Sequence, residues 1–166
     1  MKSRPDLAAL KQKVQSAFQD GPPNGWLLGW PADRFFDRIR AASPLDHEVV
    51  NDSSFDYAFC NSFRVRPRDH KGSHRELIVK ISFIADVFCL YWIGHSQAGK
   101  VSPVAEAPEG SDDHRFERRL ATMLAEQGFD EFPAEWYETP LDGIELELAG
   151  EDGATLDKCL FDDFCS

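Results

Sequence analysis

The chain has 166 residues, 42% of them hydrophobic, including thirteen Phe and four Trp, a composition that excludes a disordered acidic tail and suits one domain with a substantial core. Its formal charge is −11, and the charge is divided by position: residues 1–104 carry 14 Lys+Arg against 11 Asp+Glu, whereas residues 105–166 carry 4 against 18. A net −14 in the last third opposes binding to nucleic-acid phosphates and points to a basic protein partner.

The opening MKSRPDLAALKQKV is interrupted by charges where a signal peptide needs an apolar run, and the longest apolar stretch, Val87 to Ile93, is far shorter than the roughly 20 residues that span a bilayer. Cytoplasmic residence without a membrane is the expectation. Cys60, Cys89, Cys159 and Cys165 form no C-x-x-C pair, and they read as buried thiols.

Pro5 to Gln19 predicts an amphipathic helix, with Leu7, Leu10, Val14, Ala17 and Phe18 at helical spacing and Gly21-Pro22-Pro23 as its stop. Gly25-Trp26-Leu27-Leu28-Gly29-Trp30-Pro31 predicts a loop carrying two Trp, and Ala32 to Ala42 a second helix. Two roles are open for Trp26 and Trp30: lids over the core, or exposed anchors for a partner.

From Phe55 the period changes to two, predicting a strand through Val65, a polar turn from Pro67 to Ser73, and a second strand from Glu76 to Phe83. A reversal near Ala85-Asp86 leads to a third strand, Val87 to Ile93, apolar on both faces and so placed inside the sheet. Gln97 to Gly110 predicts a loop, and Asp112 to Gln127 a helix capped by Ser111 and stopped by Gly128. Ile144, Leu146 and Leu148 alternate with Glu145 and Glu147, and Thr155 to Phe161 predicts a final strand pairing back. The expectation for residues 1–166 is a single α+β domain, an antiparallel sheet of about five strands with about three helices packed on it.

No G-x-S-x-G elbow, Walker A loop or G-x-G-x-x-G is present. His47-Glu48-Val49-Val50-Asn51 resembles a zinc-protease helix but has Asn in place of the second His ligand. His70 and His74, beside Asp69, lie among Arg66, Arg68, Lys71 and Arg75, cations that disfavour a divalent ion, so this segment reads as a solvated hairpin tip. His95 reads as a satisfied histidine at a strand end. The basic residues 64, 66, 68, 71 and 75 are not interleaved with aromatics, as a stacking platform for nucleic acid requires. No catalytic residue, metal or cofactor is expected.

Lys80-Ile81-Ser82-Phe83 running into Val87-Phe88-Cys89-Leu90-Tyr91-Trp92, the Gly128-Phe129 helix ending before Phe132-Pro133, and the closing Cys159-Leu160-Phe161-Asp162-Asp163 resemble the small immunity proteins of bacterial polymorphic toxin systems. That resemblance implies inhibition by tight binding, without chemistry, of a basic toxin domain such as a nuclease. The contact set read from the acidic third is Glu145, Glu147, Glu151, Asp152, Asp157, Asp162 and Asp163, with Trp26 or Trp30 as apolar anchors. Two alternatives remain open: a subunit or accessory protein of a secretion-type assembly, and a small enzyme with a site built from His95, Asp86 and Cys89.

Overall fold

The computed structural model describes residues 5–103, 107–146 and 153–162. Its elements in chain order are α1 (Leu7–Ala17), α2 (Phe36–Ala42), β1 (His47–Asn51), β2 (Cys60–Pro67), β3 (His74–Ser82), β4 (Val87–His95), β5 (Val101–Pro103), α3 (Asp112–Glu126), β6 (Asp130–Glu131), a 3-10 turn (Ala134–Trp136) and α4 (Leu156–Leu160). The fold is α+β. Strands β1 to β5 form an antiparallel meander in sequential order, and β6 adds a short parallel pairing to β4.

Each face of the sheet has its own core. On one face, Phe63, Val65, Leu77, Val79, Ile81, Phe88 and Trp92 meet Ile39 of α2 and Phe116, Leu120 and Leu124 of α3. On the other, Cys60, Val87 and Cys89 meet Leu10 and Val14 of α1 and Leu156, Cys159 and Leu160 of α4. Strand β4 supplies both faces, as its uninterrupted apolar run requires.

Several elements depart from the sequence expectation. The helix expected over 32–42 is regular only from Phe36, and Phe35 precedes it with φ +73. Phe55 and Tyr57 lie outside β2, which starts at Cys60. His47 to Asn51, given no element from the sequence once its likeness to a zinc-protease helix is set aside, is a strand, so His47 and Glu48 point to opposite faces. The loop expected over 97–110 contains the short edge strand β5.

At the chain's end, Thr155 to Phe161 does not pair back as a strand. Leu156, Cys159 and Leu160 are fully buried at helical spacing, and a single helical turn places all three on α1 and the sheet. Residues 144–146 are not in a strand. Glu147 and Leu148 lie outside the described residues, as do residues 150–152 of the turn expected from Gly150 to Gly153.

Candidate functional site

The Trp loop is held from below and presents apolar side chains outward. Asn24 Oδ1 accepts from the backbone N–H of Trp26 at 2.9 Å and of Leu27 at 3.2 Å, and Trp30 N–H donates to the Gly25 carbonyl at 2.9 Å. Gly25 packs directly on Phe55, where an added Cβ would lie 2.6 Å from the ring. The two Trp side chains then take different roles. Trp30 is half-buried, its ring near Phe83, and its Nε1 donates to Asn61 Oδ1 at 2.7 Å. Asn61 is fully buried and donates in turn to the Pro31 and Ala32 carbonyls at 2.9 and 3.1 Å. Trp26 is 49% exposed, rests on Phe55 and donates to Asp56 Oδ1 at 3.2 Å. Leu27 and Leu28 follow at 88% and 64% exposure.

Those acidic residues of the set that are described, Glu145, Asp157 and Asp162, are dispersed. Glu145 is exposed beside a groove lined by Phe18, Gln19, Gly21, Pro22, Ile144 and Leu146, where the chain leaves α1 for the Trp loop. Asp157 sits half-buried in the first turn of α4, accepting from the Thr155 hydroxyl. Asp162 is buried and ion-paired with Lys80 of β3, so it is not available as a surface contact. A closing run of acidic residues had masked the one aspartate that the core requires. Glu147, Glu151, Asp152 and Asp163 lie outside the described residues.

A second polar cluster occupies the sheet face opposite α3, at the end of the β3–β4 hairpin furthest from its turn. The register pairs His74 with His95 and Glu76 with Ile93. The two imidazoles stack with centroids 4.6 Å apart and planes 2° from parallel. Glu76, 1% exposed, directs Oε2 to both rings, 2.7 Å from His74 Nε2 and 3.0 Å from His95 Nε2. Its Oε1 accepts from Arg64 Nη1 at 3.3 Å, and Arg64 Nε donates to Asp52 at 2.5 Å. Burial pushes the Glu76 carboxyl up, but the His74 hydrogen bond and the charges of His95 and Arg64 outweigh it and hold the group below the usual glutamate value.

Sequence reasoning missed this cluster by treating His74 as part of a solvated tip and His95 as a satisfied strand-end histidine, whereas His95 Nε2 is buried without a hydrogen-bond partner. A signal was available in the hairpin itself. A reversal centred on Ile84-Ala85 pairs residues equidistant from it, and that pairing sets His74 beside His95. The neighbouring cations are also less free than the sequence suggests. Arg64 is bonded to Asp52, Arg66 to Glu48 and Arg75 to Asp113.

The enzyme constellation of His95, Asp86 and Cys89 is not assembled. Asp86 precedes the first residue of β4 and His95 is its last, about 30 Å apart at the rise of an extended strand. Cys89 is buried in the core between them. Among the described residues, no helix is long and apolar enough to cross a membrane.

No protein-family model matches the chain, and comparison with curated proteins and with solved structures gives no match.

Proposed function

We propose that this chain is a protein-binding module that docks a basic partner, with the Trp26–Leu28 tip as its apolar anchor and the carboxylates of the acidic third as its steering field. The observation that carries this reading is three consecutive large apolar side chains exposed on a loop held in place by Asn24, Phe55 and Asn61. Preorganised aromatic and aliphatic anchors supply binding energy at low ordering cost, while a charge of −14 over residues 105–166 favours encounter with a basic surface. Asp56 and Glu145 are the described carboxylates assigned to contact, with Asp157 at the margin. The resemblance to immunity proteins gives the biological form of the proposal: a cytoplasmic inhibitor that masks a basic toxin domain of the nuclease type by occupancy.

The test is affinity capture from the native host with low-salt and then high-salt washes, comparing the native chain with a variant carrying Leu27→Asp, Leu28→Asp and Glu145→Lys. One basic protein retained by the native chain and lost by the variant supports the reading. A constitutive oligomer retaining an acidic or neutral subunit equally with both chains favours the assembly-subunit alternative.

A further inference from the structure

We propose that His74, Glu76 and His95 form a binding site for a divalent transition-metal ion of the zinc class. All three donor atoms lie within 4.8 Å of one another. Metal–nitrogen and metal–oxygen bonds of about 2.0–2.2 Å place neighbouring ligand atoms of a tetrahedral site about 3.3–3.6 Å apart, so the two imidazole-to-carboxylate separations, 2.7 and 3.0 Å, must open by less than about 1 Å to admit an ion. Imidazole and carboxylate donors together suit zinc and its neighbours better than magnesium or calcium.

Hydrogen bonding around the cluster orients the donors. His74 Nδ1 lies 3.0 Å from the Gly72 carbonyl oxygen, which can only accept, so Nδ1 carries the proton. A metal ion would replace the proton that Nε2 shares with Glu76 Oε2. A backbone carbonyl on the remote nitrogen is the usual arrangement behind a metal-bound histidine. His95 Nε2 is buried and has no hydrogen-bond partner, although it lies 3.0 Å from Glu76 Oε2. It is close enough to share an ion with that oxygen but off the line of a hydrogen bond.

His74 Nε2 lies at hydrogen-bond distance from Glu76 Oε2 and His95 Nε2 faces the same oxygen; because the two ring planes are parallel, a shared ion requires one ring to turn about its Cβ–Cγ bond. One divalent ion satisfies both nitrogens and the carboxylate together. Arg64 holds the other Glu76 oxygen and is itself held by Asp52, so the carboxylate is fixed for single-oxygen coordination. A hollow lined by Ser73, Arg75, Gly94, Ser96 and Ser102 opens beside both rings.

The experiment uses the full chain, stripped of metal at pH 7.5 and titrated with zinc chloride by calorimetry, and with cobalt chloride by visible absorption. One equivalent of saturable binding is expected. His95→Ala and Glu76→Gln should each weaken it at least 10-fold, and Asp52→Asn, which frees Arg64, about 10-fold. His114→Ala, outside the cluster, should leave it unchanged. Circular dichroism establishes that each variant is folded. Because Glu76 is buried, the native chain also supplies a readout that needs no variant: zinc should shift the ring resonances of His74 and His95 together, leaving His114 in place. Absence of saturable binding, binding unchanged by His95→Ala, or ring resonances that move with pH but not with zinc would overturn the proposal. None of these results bears on partner capture through the Trp loop.

Discussion

Lys80 of β3 and Asp162, just beyond α4, form an ion pair inside the molecule, 82 residues apart in sequence and both almost wholly buried. The Lys80 ammonium also lies 5.3 Å from the centre of the Tyr91 ring. The pair fastens the end of the chain to the sheet, next to the bridge between Ala58 and Asp162. Removing one partner strands the other's charge in a poorly solvated place. Asp162→Ala is therefore expected to cost about 3–5 kcal/mol, measured as a fall in the urea midpoint. The double replacement Lys80→Met with Asp162→Leu should recover most of that loss, because it leaves no buried charge.

Asn61 ties the sheet to the Trp loop through three hydrogen bonds. Asn61→Ala leaves the Trp30 indole without its acceptor, while the Pro31 and Ala32 carbonyls keep the Arg34 N–H and the Asn51 side chain, and is expected to destabilise by about 1–3 kcal/mol. Trp30 emission should shift to longer wavelength as its ring becomes wetter. Partner affinity should fall as well, since the loop loses its support.

Leu27 separates binding from stability. Its side chain is 88% exposed, so Leu27→Ala should change the unfolding free energy by less than about 0.5 kcal/mol. As an interface anchor the same truncation should cost about 2 kcal/mol of partner affinity, roughly 30-fold. Equal dissociation constants for the two chains would remove the loop from the interface.

Glu48 gives a pH dependence of definite sign. The Arg66 hydrogen bond, aided by the Arg66, His70 and Arg68 charges, holds its carboxyl below the usual glutamate value against the opposing effect of burial. A depressed folded-state pKa contributes stability that is present above the unfolded value, near 4.5, and is lost as pH falls through the lower folded value. Glu48→Gln should therefore flatten the acid limb of the stability profile below about pH 5, with little effect at pH 7. Urea titrations from pH 3 to 7 measure this.

Elements with a sustained period were legible in the sequence. α1 and α3 repeat their apolar residues over three or four turns, and β3 and β4 alternate or run apolar over nine residues each. α4 was read as a strand because its five residues are too few to separate helical from strand spacing, and only the contacts of Leu156, Cys159 and Leu160 decide. β1 is five residues long with only Val49 and Val50 apolar, too little alternation to mark a strand. The candidate sites divide along the same line. A Gly-bounded apolar loop can be read locally although its exposure cannot, since the sequence left lid and anchor both open for Trp26 and Trp30, whereas Asp162 on Lys80 and His74 on His95 depend on strand register and chain return.

Site-specific photocrosslinking tests the central claim most directly, with a photoreactive residue at position 27 in one chain and at position 45 in another, both in cells of the native host. Leu45, 97% exposed in the turn between α2 and β1, is an equally accessible apolar position outside the Trp loop. The account predicts one crosslinked basic protein at position 27, diminished by Glu145→Lys, and none at position 45. Equal crosslinking at both positions, or a partner captured only from position 45, would contradict it.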